Sequence, residues 1–294
     1  MATSETRRRL FVRSEPEHPL TPRKVAALRV VAELGLATVP QVCGFLASSE
    51  RAVRAHLLDL YHMGLADRIG VPRAALAGEG ATDASLLFGR APVIYALTRP
   101  GARLLDVPYR PMPYGPRNSL FVAHEVFVRD GRVFLEVIAR RHGHAVALWR
   151  TGVEVGPARP DAAFVYEMAG ARIVGLLEAD RGTENSKRWI DKHARYVRAF
   201  GGTALRDALG HSRARVVVVA PDARRRDAIA GILAGRGLED RFWIAERSAL
   251  GRADLAEAAW RVPGRAELQP LVPGRFLQGT DADQEEPGRC EEGD

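Results

Sequence analysis

The 294 residues are 46% hydrophobic and 27% charged, the balance of an ordinary soluble protein, and are enough for two domains with separate cores. No run of about eighteen apolar residues occurs, so no membrane span is expected. Two cysteines, Cys43 and Cys290, argue against a disulfide framework or a cysteine zinc site.

The N-terminus carries Arg7, Arg8 and Arg9 but no apolar signal core, so a cytoplasmic protein is expected. The net charge of +7 is segregated: residues 279–294 hold seven acids and one arginine, leaving a strongly basic body. That suits a polyanionic partner, although Arg-, Ala- and Gly-rich composition follows equally from a GC-rich genome.

Residues 1–19 read as a flexible basic arm. Thr21 and Pro22 mark a helix start, and Val25, Leu28, Val31 and Ala32 recur at helical spacing until Gly35. A short helix capped by Thr38 carries Val42, Phe45 and Leu46. A third helix, Glu50–Met63, buries Val53, Leu57, Leu60 and Tyr61 and turns Arg51, Ala55, Leu58 and His62 outward, with Arg54 beside them. Strands at Leu65–Ile69 and Val93–Leu97 flank a long Gly/Ala-rich segment, and a short helix runs through Leu105. Three helices followed by a two-stranded ribbon is the order of a winged helix-turn-helix, and YALTRPGARLL resembles the end of the wing in bacterial regulators of that type. The third helix would enter the major groove of double-stranded DNA, with Arg51, Arg54 and His62 as contacts. Alternatively, these are solvated side chains on a packing helix. This domain is taken as 20–106.

Four prolines in 107–117 read as a semi-rigid linker. A second domain, 118–262, opens with a helix over Ser119–Arg140, which Asp130-Gly131 could break; His124 within it reads as a packing residue. A strand at Ala145–Trp149 precedes two more, Ala162–Met168 and Ala171–Leu177, joined at Ala169-Gly170. If these pair tightly, Asp161 lies across from Glu178, and Asp180 points to the same face. Three carboxylates at one sheet end repel each other unless a cation sits among them. Next come a charged helix, Glu184–Phe200, a buried strand, Ala214–Ala220, a helix to Gly235, a strand at Phe242–Ala245 and a helix at Leu255–Trp260. Residues 263–294 read as a largely disordered acidic tail.

Helix, three strands, helix, strand, helix, strand is the order of the restriction-endonuclease-like α/β core, so the expected class is α+β overall, a winged helix followed by that domain. Its motif is PD-(D/E)XK: Pro160-Asp161 fills the first part and Glu178-Ala179-Asp180 stands at the second, with Asp180 where the lysine belongs. More finely, Thr21–Ala245 resembles the replication-relaxation family, through LFVAHEVFV, RPDAAF, and LLEADRGTE followed by KRWIDKHARYV. That resemblance implies work on plasmid replication and DNA relaxation, with other replication or mobilisation proteins as partners.

Phosphodiester hydrolysis needs a metal to polarise phosphate and generate hydroxide, and Mg2+ or Mn2+ takes hard carboxylate ligands. Asp161 and Glu178 are the expected ligands, with Asp180 as a third ligand or as the group that deprotonates water. The missing cation would come from Lys187, Lys192 or Arg181. A second class fits the same residues: a non-catalytic replication or transcription regulator that uses an inactive nuclease-like fold to hold DNA or protein.

Overall fold

Thr21 caps the first helix, α1 (Pro22–Leu34), by accepting from Lys24 N, and Gly35, at φ +76°, ends it in a conformation that side chains resist. The computed structural model describes residues 12–71, 93–111, 119–168, 170–250 and 257–272. A short strand, β1 (Leu36–Thr38), unforeseen in the sequence, leads into α2 (Val39–Leu46). Gln41 Oε1 accepts from Thr38 N at 2.9 Å and holds that turn. Helix α3 (Glu50–His62), capped by Ser49, follows. Strands β2 (Ala66–Ile69) and β3 (Ile94–Leu97) and helix α4 (Arg99–Leu105) complete the unit. Its antiparallel sheet has the order β1-β3-β2. The long wing falls largely outside the described residues.

Leu28, Val31, Val53, Leu57 and Leu60 close a core between α1 and α3. Within it sits a buried ion pair, Lys24 Nζ to Asp59 Oδ2 at 2.6 Å, and the ammonium also donates to the carbonyls of His18 and Pro19. The part of the basic arm that is described is tied down rather than free. The Arg13 guanidinium lies over the Tyr61 ring and bonds Asp67, and Ser14 N donates to His62 Nδ1 at 2.9 Å.

The second unit opens with α5 (Ser119–His142), which runs unbroken through Asp130-Gly131. Gly131 lies against Leu177, where a Cβ would come within 3.1 Å, so the glycine serves close packing rather than a break. Strands β4 (Ala145–Thr151), β5 (Ala162–Met168) and β6 (Ala171–Ala179) then form an antiparallel meander. Helix α6 (Ser186–Phe200), capped by Asn185, leads through a short α7 (Ala204–Leu209) to β7 (Arg215–Ala220). Helix α8 (Ala223–Leu233), capped by Asp222, leads to β8 (Phe242–Glu246) and α9 (Arg247–Leu250). Strands β6, β7 and β8 are parallel.

Two further strands correct the sequence reading. Ala258–Arg261 is strand β9, not helix, and Leu268–Pro270, assigned to the tail, is β10. Pairing explains the first: β9 is held between β8 and β10, and Trp260 is buried in the core on the α5 face of that sheet. The sheet order is β10-β9-β8-β7-β6-β5-β4, with α5 on one face and α6, α7 and α8 on the other. Among the described residues no helix is long and apolar enough to cross a membrane.

The two units meet along α5. Arg129 Nε donates to Leu34 O at 2.8 Å and Arg132 to Glu33 O, while Arg140 reaches Gly44 O and Phe45 O. These carbonyls end α1 and α2, where unpaired acceptors and the negative end of the helix dipole favour cations. Gln41 Nε2 reaches Val126 O and Asp130, and Arg247 bonds the other Asp130 oxygen. Residues 112–118 of the proline-rich stretch lie outside the described residues.

Asp59→Ala should cost about 3–5 kcal/mol, since it strands a buried ammonium, whereas Lys24→Met with Asp59→Leu should recover most of that loss. Urea unfolding of the three proteins checks this; equal loss in the single and double variants would refute it.

Candidate active site

Pairing of β5 with β6 places Ala162 opposite Leu177, and Asp161 N continues the ladder to Leu177 O at 2.9 Å. Asp161 therefore reaches the end of β6, as the hairpin predicts. Its Oδ2 accepts from Ala179 N at 2.7 Å and its Oδ1 pairs with His124 Nε2 of α5 at 3.0 Å. Side chains alternate along β6: Leu177 and Ala179 pack toward α5, whereas Leu176 and Glu178 turn toward α6.

Glu178, with a side chain 3% exposed, receives Lys192 Nζ at 2.7 Å on one oxygen and Tyr196 OH at 2.5 Å on the other. Lys192 also meets Glu184 Oε2 at 2.9 Å. Lys192 and Tyr196 are four residues apart, hence on one face of α6. Burial pushes the Glu178 carboxyl up, with the neighbouring Asp161 charge adding to it, while Lys192 and Tyr196 pull it back. Burial would lower Lys192, but the carboxylates of Glu178 and Glu184 outweigh it and hold the ammonium charged. The Tyr196 hydroxyl is pushed well up by burial and by Glu178, so it remains a donor.

Asp180 departs from this group. Its side chain is fully buried and held at both oxygens by Arg225, from the first turn of α8, which also donates to Glu184 O. Burial pushes its carboxyl up and Arg225 pulls it back. Asp180 thus anchors the loop between β6 and α6 to α8, and both of the oxygens expected to bind metal or activate water are engaged by Arg225. Among the described residues no three His, Cys, Asp or Glu side chains are grouped to hold a metal ion. The trio Asp161, Glu178 and Asp180 does not form.

The pair Asp161 and Glu178 remains, two hard-oxygen donors on adjacent strand ends. The Asp161 charge disfavours that of Glu178, and two carboxylates match the one or two that magnesium commonly takes from protein. Of the cations expected on the following helix, Lys192 contacts Glu178, whereas Lys187 is exposed on the first turn of α6. Arg181 donates to Leu120 O, beside His124. On α3, Arg51 and Arg54 are exposed, Arg54 paired with Glu50, whereas His62 is engaged by Ser14. His124, read as a packing residue, together with Tyr196 and Arg225, proves to be a partner of the three carboxylates. The helical spacing of Lys192 and Tyr196 was a usable signal; nothing local marks Arg225.

A family profile described as replication-relaxation matches residues 28–211, and the chain belongs to that family. Comparison with curated proteins finds no match. Among solved structures, restriction endonuclease FokI is similar at 11% identity with a TM-score of 0.30, over 78% of this chain and 42% of that one. The chain thus spans less than half of that enzyme's length, and a likeness so distant carries no conclusion about activity.

Hydrogen bonding to Asp161 raises the His124 imidazole above its ordinary 6.5, against the opposing effect of burial. The pair's contribution to stability is therefore complete below pH about 6.5 and is lost as pH rises through the raised midpoint. Imidazole NMR should show that midpoint above 6.5 in the wild type and lowered in Asp161→Asn; an unchanged midpoint would contradict the pairing.

Proposed function

We propose that this protein binds double-stranded DNA through α3 and hydrolyses a phosphodiester bond, nicking the duplex, at the end of β6. The observation that carries the reading is the contact of Lys192 Nζ with Glu178 Oε2 at 2.7 Å, beside Asp161. It supplies the acid–acid–lysine set that the sequence lacks at position 180, with the lysine drawn from the next helix.

Asp161 and Glu178 are the residues that would hold Mg2+ or Mn2+, which when bound polarises phosphate and lowers the pKa of a coordinated water. Lys192 brings a fixed positive charge to where charge develops on the phosphate. Tyr196 keeps Glu178 in one orientation, and His124 does the same for Asp161. Arg181 and the exposed Lys187 and Arg188 give the surroundings the sign that a phosphate backbone requires.

One observation favours a second reading, a fold that holds DNA without cutting it. Both oxygens of Glu178 and both of Asp180 are already bonded to internal donors.

With supercoiled plasmid and Mg2+ or Mn2+, the wild type should produce open circles, and Glu178→Gln and Lys192→Met should each slow this about 100-fold or more. Plasmid left intact by a wild type that still binds it establishes the holding reading instead. Arg51→Ala with Arg54→Ala should weaken duplex binding and reduce the slope of log K against log salt by about 2. An unchanged slope would remove α3 from the DNA interface.

A further inference from the structure

The first turn of α5 carries two large apolar side chains in solvent, Leu120 at 61% and Phe121 at 46% exposure. They stand four and three residues before His124, and so lie on the face of the helix that presents His124 to Asp161. Arg181, from the loop after β6, bonds Leu120 O and ties this turn to the carboxylate end of the sheet. An apolar pair therefore borders a site that is otherwise built of charges.

Phosphate contacts give such side chains nothing to do. A nucleotide joins an anionic phosphate to an apolar π face, and an aromatic ring beside cations matches both parts. Within an intact duplex that face is covered by neighbouring bases, so contact requires a base that has left the stack. We infer that Leu120 and Phe121 form a stacking wedge for an unstacked base next to the phosphate at Asp161 and Glu178, and that the site prefers locally melted or mismatched DNA. This rests on the reading of that sheet end as a DNA site, but not on its being hydrolytic. A protein partner's apolar surface would also match the wedge, but its place next to the Arg181 guanidinium at the proposed DNA site favours nucleic acid as the occupant.

The test uses the full chain in EDTA with two oligonucleotide duplexes, one fully paired and one with a short unpaired bubble carrying 2-aminopurine. The wild type should bind the bubble about 5- to 100-fold more tightly, the worth of one stacked base, and quench the probe. Phe121→Ala with Leu120→Ala should bring that ratio close to unity and abolish quenching, while Val197→Ala, an exposed apolar change on α6, should leave both as they are. A ratio unaffected by the double variant overturns the proposal. So does a double variant that converts an oligomer to a monomer in sedimentation while the bubble preference persists, which would assign the patch to protein contact. A wild type that prefers the bubble yet never nicks plasmid overturns hydrolysis and leaves the wedge standing.

Discussion

A carboxylate buried at the end of a central strand must have a cation with it, and the ion pair between Lys192 and Glu178 answers that demand. Glu178 closes β6, the strand where the antiparallel meander meets the parallel strands, so the arrangement around it decides how α6 sits on the sheet. Lys192 and Tyr196 both reach it from one face of α6, fixing the rotation of that helix as well as its position. Asp180, on the same strand end, makes the same demand and is met by Arg225, which fixes the start of α8. The chain thus supplies from its own helices the positive charge that its acidic strand end requires.

Helix α5 gives this site its second wall and its connection to the rest of the chain. His124, near its start, orients Asp161, and further along Arg129, Arg132 and Arg140 bind the carbonyl ends of α1 and α2. Leu36, Ile94 and Ala96 of the first unit pack against Val122, Ala123 and Val126 of the same helix. One helix therefore holds Asp161 and the first unit, which carries the DNA-reading candidate α3, in a defined relation. A linker-only connection, which the proline-rich stretch implies, would leave that relation open.

Local pattern was enough to place most elements. Thr21, Ser49 and Asp222 cap where such residues cap, and the alternation of β5 and β6 puts Asp161 across from Glu178 because strand period and a tight turn leave one register. Pattern failed where an element owes its existence to a distant partner. Strands β1, β9 and β10 are short segments given order by the sheets they join, and Asp130-Gly131 continues a helix because Leu177 requires the close approach.

The same division runs through the site. Residue types and spacing by themselves determined that acids gather at the end of β6 ahead of a basic helix, with a second acid, Asp180, two residues after Glu178. Only the tertiary structure decided which cation each acid meets. Arg225 lies forty-five residues from Asp180 in the chain and binds it, while Lys192, fourteen residues beyond Glu178, binds that acid. Charge pairing among buried groups is set by which helices reach the strand end, and that is a property of packing that no local spacing encodes.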